Sequence, residues 1–232
     1  MAMRSFNFAR ICSLTFTFLL VLTICGCAST GKQSAAEACS DNLDSIIKNF
    51  CVVTPNVLWR GSRLDKDSVA WLLQKGVRTI VNLELILDDK PAFGHATVAV
   101  SKSHEVGYFR IHDWEPLPIL APAVVDDHVA HFLAIVSQQP KPIYVHCRTG
   151  VNRTGLMVAA YRVLIEGARN VDAIEEMRLY QGLWFKADEE YIWELSPKRC
   201  EDIRDKVMKW IPKLKKDSQI VCANGKCTVS DH

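Results

Sequence analysis

The sequence predicts an α/β fold, a central and mostly parallel sheet flanked by helices. Three observations carry this. Residues 65–75 place Val69, Leu72 and Leu73 on one helical face and stop at Gly76. Val77-Arg-Thr-Ile-Val-Asn-Leu83 follows at once as a buried strand, and a helix joined to a strand by one glycine suits a βαβ unit with parallel pairing. The alternation recurs: a helical pattern over 124–136 leads to the apolar, β-prone run Ile143-Tyr144-Val145, and a helix from Gly155 to Glu166 follows, ended by Gly167.

The other elements take their places around these. Residues 41–49 read as a short helix, and the folded domain begins near Cys51. Val57-Leu58-Trp59-Arg60-Gly61-Ser62 reads as a strand ending in a turn. The stretch 84–106 contains Asp88-Asp89, Pro91 and Gly94, with a short helix expected near His95–His104. Tyr108 to Ile111 is a strand that opens into a loop carrying Asp113, Glu115, Pro116, Pro118 and Pro122. In the helix over 124–136, Asp126 and Asp127 are expected in the first turn, where the helix dipole favours them. Helices are also expected over 171–179, capped by Asn170, and over 188–195. The last helix, 201–216, sets Ile203, Val207, Trp210, Ile211 and Leu214 at helical spacing. A membrane-surface helix is one reading. Packing on the domain is preferred, because Asp202 and Asp205 also face outward and Pro212 interrupts the pattern.

The first residues have a different character. Arg4 and Arg10 precede an apolar core from Ile11 to Ile24, too short for a spanning helix and suited to a signal segment. Ile24-Cys25-Gly26-Cys27 resembles a bacterial lipoprotein box, which implies cleavage before Cys27 and lipid on its thiol. Ala28 resembles the outer-membrane sorting pattern. The competing readings are an uncleaved anchor and ordinary secretory cleavage. The organisation expected is a lipoprotein-type signal over 1–26, a tether over 27–50, a catalytic domain over 51–197, and a C-terminal helix and cysteine hairpin over 198–232. Without the two leader arginines, 26 basic residues face 26 acidic ones. A neutral chain makes no electrostatic case for a nucleic-acid partner.

Nine cysteines is a high count, and export permits disulfides. In Cys222-Ala-Asn-Gly-Lys-Cys227, Asn224-Gly225 is the preferred two-residue hairpin turn. Ala223 and Lys226 then form the hydrogen-bonded pair, and Cys222 and Cys227 face each other as the close pair within disulfide reach. His95 and His104 have no cysteine or carboxylate at ligand spacing. They read as loop or surface residues, and neither metal nor cofactor is expected.

The chemistry concentrates in Pro142-Ile-Tyr-Val-His-Cys-Arg-Thr-Gly-Val-Asn-Arg-Thr-Gly-Leu156. Five residues after the thiol of Cys147 can curl into a loop of inward N–H groups at a helix N-terminus. Cys147 then sits where a thiolate is favoured, and the Arg153 fork can grip two phosphate oxygens. A thiolate facing a phosphate can displace an alkoxide and form a phosphocysteine.

His146-Cys147-(x5)-Arg153-Thr154 resembles the signature of the cysteine-dependent protein tyrosine/dual-specificity phosphatases. The resemblance covers about residues 51–197 and implies a compact dual-specificity phosphatase-like fold. By that resemblance Cys147 is the nucleophile and Arg153 binds phosphate. His146 fixes the loop and Thr154 bonds the sulfur. Arg148, Thr149, Gly150, Val151 and Asn152 cradle the oxygens with Arg153. The family's general acid lies about thirty or more residues upstream, which points to Asp113, 34 residues before Cys147. Glu115, Asp126 and Asp127 are its competitors. No segment of the Lys-Asn-Arg-Tyr type is present, so a shallow pocket is expected.

Asn152 stands where many members carry glycine, as in members acting on RNA 5′-phosphates, but export argues against RNA. Arg148 adds charge at the loop rim, which suits inositol phosphates or simply points to solvent. The expected partner is a phosphorylated protein or a small phosphate ester, with a membrane reached through the lipid anchor. A phosphate-binding or redox-sensing lipoprotein is the non-enzyme alternative.

Overall fold

The computed structural model describes residues 45–98, 103–112, 121–180 and 186–232. The leader, Cys27 and the tether as far as residue 44 lie outside them. Among the described residues, no helix is long and apolar enough to cross a membrane.

The chain order is β1 (Cys51–Thr54), β2 (Leu58–Ser62), α1 (Lys66–Gln74), β3 (Thr79–Asn82), α2 (Lys90–His95), β4 (His104–Arg110), α3 (Pro122–Gln138), β5 (Ile143–Cys147), α4 (Asn152–Leu164), α5 (Asn170–Arg178), α6 (Lys186–Trp193), α7 (Pro197–Trp210), a 3₁₀ turn (Ile211–Lys213), β6 (Ser218–Ala223) and β7 (Lys226–Asp231). The sheet order is β1-β2-β5-β3-β4-β6-β7. The four central strands, β2, β5, β3 and β4, are parallel, as the helix–Gly–strand pattern implied. The outer pairings, β1 to β2, β4 to β6 and β6 to β7, are antiparallel. The parallel core therefore ends on one edge at Ser62, Cys147, Asn82 and Arg110, the edge where open α/β sheets bind ligands.

Period-two alternation splits each central strand between two cores. Leu58, Val81, Phe109, Ile143 and Val145 pack with Val129, Leu133, Leu156, Val158, Ile192 and Ile203 from α3, α4, α6 and α7. Trp59, Ile80, Tyr108 and Tyr144 pack with Val69, Leu72 and Phe93 from α1 and α2, and with Ile220 of the hairpin. The sheet is not confined to residues 51–197, because β6 adds to the edge of β4 through register pairs from His104–Cys222 to Tyr108–Ser218.

Several expectations need correction. Residues 45–49 form turns rather than a helix: Asn49 adopts φ 55°, and Ile47 is buried while Ile46 is 57% exposed. The short helix of the 84–106 stretch lies at 90–95, started by Pro91, and His104 opens β4 rather than ending a helix. Pro122 likewise starts α3 early, so Asp126 and Asp127 fall in its second turn. Asn170 is no cap, since its amide donates to Trp193 O and Leu195 O, each at 3.2 Å. The last helix begins at Pro197 with Ser196 as its cap, and its α-helical part stops at Trp210. Ile203 is fully buried in the core, with Val207, Trp210 and Leu214 packed against it.

Asn224 and Gly225 turn the hairpin in left-handed conformations, φ 51° and 81°. Cys222 and Cys227 face each other with Cα atoms 4.0 Å apart and form a disulfide. Cys51 is also disulfide-bonded, its partner lying outside the described residues, whereas Cys147 and Cys200 are free thiols.

Gly61 makes the closest approach within the second core. A Cβ there would collide with the Tyr144 hydroxyl and lie 2.9 Å from Ile47 Cγ2. That hydroxyl donates to Ser62 O at 2.7 Å. Gly61→Ala is therefore expected to lower stability by about 1–3 kcal/mol, as overpacking does. Urea unfolding measures this, and an unchanged midpoint would contradict the packing described.

Candidate active site

The dipeptide His146-Cys147 ends the central strand, so its side chains leave the sheet on opposite faces. Cys147 enters the core formed with α3 to α7 and is 5% exposed. His146 is fully buried on the other face, stacked on Tyr144 with ring centroids 5.5 Å apart. Between β5 and α4 the chain runs Arg148-Thr149-Gly150-Val151. No side chain caps α4, which leaves its first N–H groups available. Gly150 has φ +72°, and a Cβ there would sit 2.5 Å from the Gly61 carbonyl group. The loop can turn here only with glycine at 150.

The direction of the loop amides is set by what holds the carbonyls. In a trans peptide the C=O of one residue and the N–H of the next point opposite ways. Arg63 N donates to Arg148 O at 3.4 Å, Asn49 Nδ2 to Thr149 O at 2.8 Å, and Arg60 Nη2 to Gly150 O at 2.6 Å. Three successive carbonyls are thus turned toward donors from β2, its exit and the turn before β1. The N–H groups of Thr149, Gly150 and Val151 turn the other way.

The effect on the thiol follows. Burial alone pushes the Cys147 thiol up. The Thr154 hydroxyl, the Thr154 N–H and the N–H groups of Thr149 and Gly150 more than offset it, and the thiol lies below its ordinary value. The Thr154 hydroxyl is fully buried and has no other hydrogen-bond partner. A lowered thiol and inward donors together make a place suited to an anion.

Arg153 is half-buried in the first turn of α4, and its Nη1 donates to Leu83 O at 3.3 Å. Beside it, Arg63 forms an ion pair with buried Glu84. Asp188, in the first turn of α6, is buried as well. Burial pushes its carboxyl up to about 6, against the Asn152 side chain and the Arg153 charge, which both favour its ionised form. On the opposite face, His146 Nε2 lies 2.8 Å from Asp89 Oδ2. Burial disfavours the imidazolium, but Asp89 outweighs it and His146 is raised above its ordinary value. Asn82 Nδ2 also donates to Asp89 Oδ2 at 2.8 Å, and Asp89 N donates to the Tyr108 hydroxyl oxygen at 3.2 Å.

The structure thus brings His146, Cys147, Thr149, Gly150, Val151, Asn152, Arg153 and Thr154 together, with Arg148 exposed at the rim. Asp113 and Glu115 lie outside the described residues. Asp126 accepts from Tyr191 and Arg199, and Asp127 from Trp210 Nε1, so both are engaged between α3 and the α6–α7 pair. His104 Nε2 is 2.6 Å from Val77 O. Glu84, Asp89 and His146 are the cluster with metal-ligand atoms within 4.8 Å of one another among the described residues. Each already has a charged partner, Arg63 for Glu84 and the Asp89–His146 pair itself, so the donor set reads as an ion-pair network.

Sequence reasoning missed Arg60, Asn49, Asp89 and Asp188. Only Arg60-Gly61-Ser62, a charged residue and a glycine at a strand end, carried a local signal.

A family model described as a DSP-PTPase phosphatase fused to NAD+ kinase matches residues 44–192. The dual specificity protein phosphatase TpbA of Pseudomonas aeruginosa is 32% identical over 153 residues, covering 65% of this chain and 61% of that protein. A probable chloroplastic NAD kinase 2 of Oryza sativa is 32% identical over 118 residues, 49% of this chain and 11% of that protein. The chain thus spans less than two thirds of either relative. The crystal structure of TpbA superposes with a TM-score of 0.52 at 23% identity, covering 69% of this chain and 91% of that one. The catalytic core of the PP-IP phosphatase SIW14 from S. cerevisiae gives 0.53 at 18% identity, covering 72% and 98%. Both share the fold.

The Asp89–His146 pair has a pH signature. A raised His146 contributes stability that is complete below its unfolded value, about pH 6.5, and lost as pH rises through the folded value. The stability gap between wild type and Asp89→Asn is therefore expected to be larger at pH 6 than at pH 9. Urea midpoints at the two pH values measure it, and equal gaps would refute the pairing.

Proposed function

The chain belongs to the DSP-PTPase phosphatase family, and from that premise we propose that it hydrolyses phosphate monoesters through a phosphocysteine on Cys147. The observation that carries this is a buried thiol held below its ordinary value by loop amides whose carbonyls are tied off on the far side. The thiolate attacks phosphorus in line while Arg153 and the loop N–H groups of Arg148 to Arg153 hold the equatorial oxygens. The phosphorus–oxygen bond to the alcohol breaks, and Asp113 gives its proton to the leaving oxygen. Water then attacks the phosphocysteine, giving a proton to the Asp113 carboxylate, and the sulfur–phosphorus bond breaks to release phosphate and restore the thiolate. Thr154 bonds the departing sulfur, and His146 fixes the end of β5 through Asp89.

The substrate is a phosphorylated protein of the tyrosine/dual-specificity type, in keeping with the TpbA relative. The exposed Arg148 supports a second reading, an inositol phosphate or another multiply charged small ester. Initial rates on phosphotyrosine and phosphoserine/threonine peptides against inositol phosphates separate the two. Cys147→Ser is expected to abolish vanadate-sensitive p-nitrophenyl phosphate hydrolysis. Asp113→Asn is expected to lower kcat on an ester with a poor leaving group by about 10²–10⁴-fold while sparing p-nitrophenyl phosphate more. Undiminished turnover in Asp113→Asn would move the acid elsewhere.

The chain is further read as an exported lipoprotein, cleaved before Cys27 and held at a membrane facing the periplasm. The basic start, apolar run and Ile24-Cys25-Gly26-Cys27 support this, and the Cys222–Cys227 disulfide suits an oxidising compartment. Metabolic labelling with palmitate should mark the wild type and not Cys27→Ser. Labelling of both would place the lipid at another residue, and labelling of neither would exclude the anchor.

A further inference from the structure

Arg60 is a fully buried cation under the phosphate loop. It projects from the same face of β2 as Leu58, toward the core formed with α4 and α5, and is among the largest side chains with no exposure. Its guanidinium carbon lies 3.6 Å from the centroid of the Tyr180 ring. Nη2 donates to Gly150 O at 2.6 Å, while Nε and Nη1 are buried with no hydrogen-bond partner. A guanidinium with unmet donors in the interior is costly unless something returns that cost. Burial lowers its pKa, opposed by Tyr180, Glu176, Cys147 and Tyr144, which favour its charge.

What the position provides is control of one peptide plane. The Gly150 carbonyl and the Val151 N–H belong to the same trans peptide and point opposite ways. Arg63 and Asn49 do the same for the amides of Thr149 and Gly150, which face the sulfur. Arg60 completes the set from below. Gly155 faces it from α4, where even an added Cβ would only come into ordinary contact with Nη2, at 3.8 Å.

We propose that Arg60 is a positioning residue of the phosphate loop: it holds the Gly150 carbonyl away from the anion site so that the Val151 N–H faces a bound tetrahedral anion, and it sets a fixed positive charge beneath the Cys147 thiolate. The inference rests on the phosphatase reading of the same loop, and deepens it. Among the described residues, the charged and titratable groups around the thiol include Arg60 and Arg63 from β2 and its exit, Tyr144 and His146 on β5, and, at the starts of α4 and α6, Arg153 and Asp188.

The test uses two readouts that need no turnover, vanadate binding and the pH profile of iodoacetamide alkylation of Cys147, on the chain with its disulfides intact. Arg60→Met keeps the volume and removes the charge and the donor. It is expected to weaken vanadate binding by about tenfold or more, the loss of one charge-assisted hydrogen bond, and to move the alkylation profile to higher pH. Arg60→Lys keeps the charge without the planar fork. It is expected to restore the alkylation profile and leave vanadate binding weak, a split that a merely structural role would not produce. A folded Arg60→Met with vanadate affinity within about twofold of wild type and an unmoved profile overturns the proposal. If Arg60→Met does not fold, Tyr180→Leu decides, since it removes the ring backing the guanidinium and leaves the charge. Weakened vanadate binding supports the proposal, and unchanged binding overturns it. A wild type that does not bind vanadate would instead sink the phosphatase reading itself.

Discussion

Everything at this site depends on which way three successive peptide planes face. Sulfur becomes a stable anion in a buried place only if N–H dipoles converge on it, and short loops do not hold that geometry unaided, since each inward N–H forces a carbonyl outward into a region that must supply a donor. Here the donors come from Asn49, Arg60 and the Arg63 amide, so the architecture around β2 is explained by the needs of residues 148–151. Gly150 is part of the same constraint, because a Cβ there would strike the Gly61–Ser62 backbone and the loop could not be tied to β2. The parallel core serves it too: β2 and β5 run side by side and end together at Ser62 and Cys147.

The adjacent His146 and Cys147 divide the work because a strand sends neighbours to opposite faces. On one face the thiol meets amides, a hydroxyl and the helix start. On the other, the imidazole meets Asp89, which is anchored by Asn82 and Tyr108. His146 therefore acts on the nucleophile through the end of β5 rather than by a bond to sulfur. The same logic ties β3 to the site, as Leu83 and Glu84 at its exit receive Arg153 and Arg63 while Asn82 holds Asp89.

What was legible in the sequence follows from range. His146 to Thr154 is one contiguous segment whose spacing encodes the curl, so its geometry could be read directly. The strand and helix periods around it gave the parallel core. Asn49 and Arg60 reach the loop across 100 and 90 residues, and no periodicity announces such contacts. Asp89 was visible only as half of Asp88-Asp89 at a helix start, and Asp188 only as a first-turn acid, each with an adequate local explanation. Other strand residues were hidden for a different reason. β1 is four residues long and carries too little alternation to be seen without its partner, and only the Tyr108–Ile111 part of β4 is legible, because the strand begins with the polar pair His104-Glu105. The turn over 45–49 was mistaken for a helix because apolar Ile46 and Ile47 look like one face, yet only Ile47 is buried.

A chain with a reactive thiolate and several other cysteines must keep them apart, and the fold does so by three separate means. Cys222 and Cys227 are consumed by each other across a two-residue turn, and Cys51 is bonded as well. Cys200 remains a thiol, but burial pushes it up, against Arg204 and Arg199, so it is a poor nucleophile. Cys147 alone, among the free thiols of the described residues, is lowered. Reactivity toward phosphorus and reactivity toward an oxidant both scale with thiolate character. The loop that lowers this thiol therefore also makes it the one an oxidant would strike first, and its 5% exposure is the physical limit on that access.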